Sequence, residues 1–381
     1  PYPAQPPIPT RIQAIPPVRA GGCRLAQASR PQARTPAIEY APQTALAASG
    51  WQAGSMYAIT FESHGGPEQL RWSEVPSPQA GPGEVRIRTA GAGVNRADLL
   101  QLAGHYPPPP GASGLLGLEC SGVIDQIGPG VADWRLGDPV VALLPGGGYA
   151  EYVTVGGDQV APAPPAMDLV SAAGVLEVAA TVLANLDRAQ LQAGDLCLVH
   201  GGAGGIGSFA IQYAQRLGAR VATTASAGKL AHCRALGAEI VLDYRTDWLA
   251  ELLTATGGRG ADVILDIIGA KYLDANLTAL AEGGRLVIIG MQKGTRAELN
   301  IARLLAKQGL IMATSLRNRS AAEKARIVAR VVEEIWPRYA DGSIEPSPET
   351  RFPLPEAARA LTALASGEVI GKVVLATPGH A

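Results

Sequence analysis

The stretch that most restricts what this chain can become is Val199-His200-Gly201-Gly202-Ala203-Gly204-Gly205-Ile206-Gly207. An apolar run, Leu196 to Val199, leads into it and reads as a buried parallel strand. An amphipathic run from Ser208 to Leu217 follows, and Gly218 closes it where a helix C-cap belongs. The β-branched run from Arg220 to Thr224 reads as a second strand. Gly202, Gly204 and Gly207 therefore form G-x-G-x-x-G between a strand and a helix, the dinucleotide-binding arrangement. The first glycine permits a tight turn, the second lets a pyrophosphate touch backbone, and the third lets the helix pack on the strand. The phosphates would lie on Gly202, Ala203, Gly204, Gly205, Ile206 and Gly207, against the positive end of the helix. The chain has 46 glycines, so the flanking strand and helix, not the glycines alone, carry this reading.

A missing residue refines it. NAD-binding folds place Asp or Glu at the end of the second strand, about 20 residues on, to hold the ribose 2′-hydroxyl. That place reads Thr223-Thr224-Ala225-Ser226-Ala227-Gly228-Lys229, with hydroxyls and a cation but no carboxylate. A carboxylate would repel a 2′-phosphate, whereas Ser226 and Lys229 suit one, and the sequence predicts NADPH as cofactor. The competing reading makes Lys229 the start of a solvated helix face.

At 381 residues the chain has room for two domains, and with 47% hydrophobic and 17% charged residues it can bury a large core. A net charge of −1 gives no general attraction to nucleic acid or anionic membrane, and neither is expected as a partner. Cys23, Cys120, Cys197 and Cys233 are scattered without a C-x-x-C pair, which supports neither a disulfide framework nor a cysteine-rich zinc site. No apolar run looks long enough to span a bilayer. His64, His105, His200, His232 and His380 lack metal-ligand spacing, and neither G-x-S-x-G nor H-E-x-x-H occurs.

Residues 1–55 are rich in Pro, Ala, Gln and Arg without sustained periodicity, and read as a disordered extension. They hold five arginines and a single acidic residue, Glu39, a bias shared with transit peptides, but their prolines oppose the amphipathic helix such peptides need. Met56 opens a strand-like run and is the expected natural start. From Met56 to about Pro165 short strands alternate with Gly/Pro turns, among them Val85–Thr89, Ser121–Ile124, Pro139–Leu143 and Tyr149–Val155, as in a small β-barrel. From about Ser171 to Leu316 the pattern is α/β. Strand candidates Glu239–Leu242, Asp262–Ile268, Arg285–Ile289 and Leu310–Thr314 follow the glycine loop, giving a Rossmann doubly wound parallel sheet. Helices are expected over Ser320–Tyr339 and Pro355–Ser366, with a strand over Lys372–Ala376, so that the tail folds back onto the first domain.

The order of these parts and several local strings resemble the medium-chain dehydrogenase/reductase superfamily. Within it the resemblance is to the zinc-free quinone oxidoreductases, especially the subfamily of the tumour-suppressor-induced NADPH quinone oxidoreductase. The strings are Gly65-Gly66-Pro67-Glu68, Asn95-Arg96-Ala97-Asp98-Leu99 and Tyr106-Pro107-Pro108-Pro109-Pro110-Gly111-Ala112-Ser113. Leu116-Gly117-Leu118-Glu119, Leu143-Leu144-Pro145-Gly146-Gly147-Gly148 and Leu316-Arg317-Asn318-Arg319 complete the set. The resemblance implies a GroES-like catalytic domain over residues 56–175, a Rossmann NADPH-binding domain over 176–316, and a return segment, 317–381, completing the first. Where zinc-dependent members carry a Cys and a His for the catalytic metal, this chain has Asn95 and Leu118, and no metal is expected.

The same resemblance assigns site residues. Asn95 and Tyr106 become the candidate catalytic donors to a developing oxyanion, with Tyr106 also near the cofactor. Ala225, Ser226, Lys229 and Tyr244 would surround the 2′-phosphate. Ile268, Gly269, Gly290 and Met291 would lie at strand ends beside the cofactor, Ser315 and Leu316 near the nicotinamide, and Lys372 facing the cleft. The expected reaction is hydride transfer from NADPH to a quinone. The rivals are an enone reductase with the same cofactor geometry and, from another class, a cofactor-sensing or RNA-binding protein. A cytoplasmic homodimer, paired through an edge strand at Leu310–Thr314, completes the expectation.

Overall fold

The computed structural model describes residues 54–379, so the readings of residues 1–53 and of His380 lie outside the described residues. Strand β1 (Ser55–Thr60) already includes Ser55, at the expected end of the extension, and pairs antiparallel with β2 (Arg71–Pro76). Next come β3 (Glu84–Val94), α1 (Arg96–Leu102), β4 (Glu119–Ile127), β5 (Pro139–Leu143), β6 (Tyr152–Gly156) and β7 (Val160–Pro162). Helix α1 was not read from the sequence. It starts at Asn95, whose backbone N–H donates to the Asp98 carboxylate at 2.7 Å, half of a capping box.

Two helices, α2 (Leu169–Ala172) and α3 (Leu176–Arg188), lead into the second half. The stretch they span, Leu169–Arg188, is 20 residues long and contains an 18-residue window with a mean hydropathy of 1.8. This corrects the expectation that no run is long enough to cross a membrane. Of that window 83% is buried inside the fold, as a core helix pair is.

The parallel half runs β8 (Leu196–His200), α4 (Gly205–Arg216), β9 (Arg220–Ala225), α5 (Leu230–Ala235), β10 (Ile240–Asp243) and α6 (Trp248–Ala255). It continues with β11 (Ala261–Asp266), α7 (Leu273–Ala279), β12 (Leu280–Ile288), α8 (Ile301–Lys307) and β13 (Leu310–Ala313). The six strands lie in the order β10-β9-β8-β11-β12-β13, all parallel. The order reverses between β8 and β11, which opens a crevice at their carboxyl ends. The five residues of β8 are all buried, as a strand covered on both faces requires.

The chain then forms α9 (Ala321–Glu334), α10 (Trp336–Ala340), β14 (Glu349–Pro353), α11 (Ala357–Ser366) and β15 (Lys372–Ala376). The single helix expected over Ser320–Tyr339 is two. Pro337 has no N–H to give the preceding turn, so the chain restarts at Trp336 with proline in the first turn of α10. Strand β15 inserts between β14 and β3, giving a seven-stranded sheet in the order β14-β15-β3-β4-β5-β7, with β6 on β3. Val373 and Leu375 pack with Ala92, Val94, Leu102 and Tyr149 in one core. A second core joins Val141, Leu143 and Ala161 of the barrel to α3, α4 and α9. The two halves therefore share buried surface rather than meeting only through a linker.

The turn into β15 ties both halves to the glycine loop. The Gly371 N–H donates to the Ala203 carbonyl at 2.8 Å. Gly371 has φ +76°, and a Cβ there would sit 1.9 Å from the Pro348 carbonyl oxygen. Neither the conformation nor the backbone neighbour can yield cheaply. Gly371→Ala is predicted to cost about 3 kcal/mol of stability in urea unfolding; an unchanged midpoint would show that this turn does not carry the strand's insertion.

Candidate active site

The glycine loop is built by exclusion. A Cβ on Gly202 would meet Thr223 Oγ1 at 2.1 Å, and one on Gly207 would meet the Gly201 carbonyl oxygen at 2.2 Å and Gly202 Cα at 2.5 Å. These glycines let α4 press against β8 and β9. Gly204 differs: a Cβ there would find only the Gly201 carbonyl oxygen, at 3.7 Å, so the space above it is open. The N–H groups of Gly205, Ile206 and Gly207 open α4 and have no acceptor within the helix. An open face over a helix N-terminus, with no side chain in the way, fits a pyrophosphate.

His200, just before the loop, is buried structure. Its Nδ1 lies 3.0 Å from Thr224 Oγ1 and its Nε2 lies 2.8 Å from Asn276 Oδ1. Burial pulls its pKa down to about 4, so the ring is neutral at physiological pH.

At the end of β9, the Ala225 carbonyl accepts from the Tyr244 backbone N–H at 3.1 Å, and the Ser226 carbonyl accepts from the Lys229 N–H at 2.8 Å. Tyr244 is 49% exposed. Asp243, at the end of the adjacent β10, is a carboxylate the sequence reading did not weigh, and it pairs with Arg245 at 3.1 Å. Lys229 is not a free solvated cation. Its Nζ donates to the carbonyls of Gly367 and Val369, both at 2.7 Å, which takes two of its three hydrogens. Partial burial also lowers its pKa from the usual lysine value.

Ile268 and Gly269 follow β11, and Gly290 and Met291 follow β12. The Asp266 carboxylate accepts from the Ile268 N–H at 2.6 Å, and burial lifts its pKa to about 6. A Cβ on Gly269 would lie 2.8 Å from Met291 Cα, and one on Gly290 would lie 2.7 Å from the Ile267 carbonyl oxygen. The two turns thus touch, bringing all four residues to one strand-end cluster.

Across the crevice, Tyr106 Oη and Ser315 Oγ lie 2.8 Å apart, although one residue belongs to the barrel and the other follows β13. Leu316 comes next and is partly buried against the shared core. Burial raises the Tyr106 pKa, opposed by the Ser315 hydrogen bond and the nearby Arg317 charge. The Tyr106–Ser315 bridge therefore joins a candidate proton donor to a candidate nicotinamide neighbour.

Lys372 is placed otherwise than expected. It does not face the cleft as a free ammonium; it is 6% exposed. Its Nζ donates to Asn95 Oδ1 at 2.6 Å and pairs with Glu119 Oε1 at 2.7 Å. Asn95 is committed as well, with Nδ2 donating to Glu119 Oε1 at 3.0 Å and to the Gly93 carbonyl at 3.3 Å. Both amide hydrogens are taken, so this geometry gives Asn95 an anchoring part rather than a free donor for a substrate oxygen.

Sequence reasoning missed the acids of this cluster. Glu119 is fully buried, and its Oε2 accepts from the Glu177 N–H at 3.0 Å. Asp98 accepts from the Asn95 N–H, the Tyr149 hydroxyl at 2.9 Å and the Gly117 N–H at 3.2 Å. Burial raises Asp98 to about 6 against the pull of those donors. Burial and the Glu119 charge raise Glu177 to about 7, against the attraction of Lys372. The Asn-x-x-Asp spacing of Asn95 and Asp98 was the one available signal, as a helix-start pattern. Among the described residues no group of three or more His, Cys, Asp or Glu is arranged to hold a metal ion.

A mixed seven-stranded sheet into which β15 inserts, set beside a six-stranded parallel dinucleotide-type sheet, is the architecture of a nucleotide-dependent dehydrogenase. The comparisons agree. A zinc-binding dehydrogenase family model matches residues 205–334, and an alcohol dehydrogenase GroES-like domain model matches residues 81–165. A quinone oxidoreductase of Pseudomonas aeruginosa is 32% identical over 321 residues, covering 83% of this chain and 98% of that protein. The crystal structure of Escherichia coli quinone oxidoreductase complexed with NADPH superposes with a TM-score of 0.76 at 28% identity, covering 84% of this chain and 99% of that one. The CurK enoyl reductase superposes at 0.75 and 26% identity, covering 85% and 99%. The chain belongs to the quinone oxidoreductases of the medium-chain dehydrogenase/reductase superfamily.

Two substitutions separate the roles of the glycines. Gly204→Ala is predicted to leave stability within about 0.5 kcal/mol but to weaken NADPH binding, read by cofactor fluorescence. Gly207→Ala is predicted to lose stability first; equal behaviour would contradict the open face over Gly204. Glu177 supplies a pH test. Its folded pKa, about 7, lies above the ordinary 4.5, so its contribution to stability is full below 4.5 and is lost as pH rises through 7. Glu177→Gln is therefore predicted to gain stability relative to the parent protein between about pH 5 and about pH 8, measured by urea midpoints; a pH-independent difference would contradict the burial of this carboxyl.

Proposed function

We propose that this protein reduces quinones with NADPH by hydride transfer, with residues 176–316 holding the cofactor and residues 56–175 and 317–379 forming the substrate wall. What supports this reading is a glycine loop open to a pyrophosphate together with a β9 end, followed by Ser226 and Lys229, that carries no carboxylate. Bound NADPH supplies the hydride and its electron pair. Gly204 and the first N–H groups of α4 hold the pyrophosphate, and Ser226, Lys229 and Tyr244 hold the 2′-phosphate. Lys229, fixed by the Gly367 and Val369 carbonyls, offers its remaining hydrogen to that phosphate.

On the substrate side, the Tyr106–Ser315 pair supplies the hydrogen bond. With Ser315 donating to the phenol oxygen, the Tyr106 hydrogen is left for a substrate oxygen that gains negative charge. A quinone needs little further help, because the product is an aromatic hydroquinone anion that water can protonate.

A second reading, reduction of a conjugated carbon–carbon double bond, draws on the structural likeness to the CurK enoyl reductase. There the proton must reach carbon, so loss of the Tyr106 hydroxyl should hurt an enone more than a quinone. A further proposal concerns assembly. Strand β13 is the edge of the parallel sheet, and Leu310, Ile301 and Leu305 beside it are 56%, 64% and 72% exposed. We propose pairing of this edge with a second copy in a cytoplasmic homodimer, and a monomeric sedimentation coefficient would reject it.

The predicted kcat/KM with benzoquinone is at least about tenfold higher for NADPH than for NADH, and Lys229→Ala should narrow that ratio. Equal use of the two cofactors would overturn the ribose-site reading. Tyr106→Phe is predicted to lower quinone turnover by about tenfold without abolishing it; complete loss in a folded variant would assign Tyr106 an obligatory proton role.

A further inference from the structure

Arg317 is a buried cation that the hydride-transfer account leaves without a task. It is 5% exposed. Its guanidinium donates through Nε to the Pro145 carbonyl at 2.8 Å, through Nη1 to the Tyr106 carbonyl at 3.1 Å, and through Nη2 to Gln101 Oε1 at 2.8 Å. Its Cζ also lies 5.2 Å from the centroid of the Tyr106 ring. Gln101 in turn donates to the Gly114 carbonyl at 3.0 Å. One side chain thus knots helix α1, the proline-rich Tyr106 loop, the Gly114 turn and the Pro145 turn.

No carboxylate among the described residues lies within 4.0 Å of this guanidinium. The charged groups that act on it are Asp98, which favours its charge, and Lys324, which opposes it. A tether alone does not need a charge, and burying one without a close counter-ion is costly. What the charge does meet is the face of the Tyr106 ring. A cation there favours electron density on the phenol oxygen. Such density grows when Tyr106 donates to a substrate oxyanion.

We infer that Arg317 is the positioning residue for Tyr106: it fixes the Tyr106 main chain so that the hydroxyl reaches Ser315, and its charge supports the phenol as a hydrogen-bond donor. This inference rests on the proposed quinone reduction for its kinetic consequence but not for its structural one. Arg317 has no hydrogen bond to the glycine loop or to Lys229, so its loss should act through Tyr106 and leave the pyrophosphate contacts as they are.

The test is a cycle of Arg317→Gln and Tyr106→Phe, singly and together, assayed with NADPH and benzoquinone. Hydrogen exchange of the ligand-free proteins is measured alongside. Arg317→Gln is expected to lower kcat about tenfold, and to cost less than about twofold once Tyr106 is Phe. Exchange should quicken across residues 105–115 and stay the same across 201–207. Equal losses in both backgrounds or unchanged exchange across 105–115 would overturn the inference. If Arg317→Gln does not fold, Gln101→Leu removes one acceptor of the guanidinium and should give a smaller loss with the same dependence on Tyr106. Absence of quinone turnover in the parent protein would sink the functional proposal alone, since the exchange result still decides whether Arg317 places Tyr106.

Discussion

One buried ammonium holds this molecule's working parts in register. Lys372 enters on the chain's last strand, lies between Asn95 and Glu119, and leaves its aliphatic stem 3.2 Å from where a Gly205 Cβ would be. It therefore touches the start of α1, the start of β4 and the cofactor loop together. A buried charge pair adds little net stability compared with a well-packed apolar pair, but removing one partner alone is strongly destabilising. Loss of Lys372 alone would leave the fully buried Glu119 with the Asn95 amide and the Glu177 N–H but without its cation.

That constraint explains the rest of the crevice. Next to Lys372, Gly371 turns with positive φ, and its N–H holds the Ala203 carbonyl inside the glycine loop. The segment just before it, through Gly367 and Val369, fixes Lys229. The cofactor end of the site is thus braced by the C-terminal segment, not only by the parallel sheet. At Asn95, where zinc-dependent members of the superfamily carry a metal ligand, the side-chain oxygen accepts from the Lys372 ammonium, and Leu118 offers no donor at all. A positive charge is kept at this place, but it is spent on holding the fold together.

Much of this was legible before any coordinates. The glycine loop, the strands of the parallel sheet and the barrel's alternating strands announce themselves through spacing, β-branched runs and turn residues, because those signals are local. Pro139–Leu143 and Lys372–Ala376 emerged at the expected bounds for that reason. The failures are non-local. Nothing in the order of residues says that Lys372 meets Glu119, or that Glu177, on an apolar helix, lies beside both. Lys229 could be read as a phosphate ligand, but not as a cation already clamped by two carbonyls from the far end of the chain. Tyr106 could be named from a family string and Ser315 from its position, whereas their contact depends on packing between the halves. Helix α1 was missed because its seven residues are too few to show a helical period.

The account stands on a reduction site whose buried cations are side chains, Lys372 and Arg317, and whose chemistry runs through NADPH and hydrogen-bond donors. Its most direct test is quinone turnover measured against bound zinc per chain, in protein dialysed against a chelator and then titrated with zinc. The account predicts full NADPH-dependent turnover in the metal-stripped protein and no gain on adding zinc. Turnover that vanishes on stripping and returns in proportion to one bound zinc per chain would contradict it.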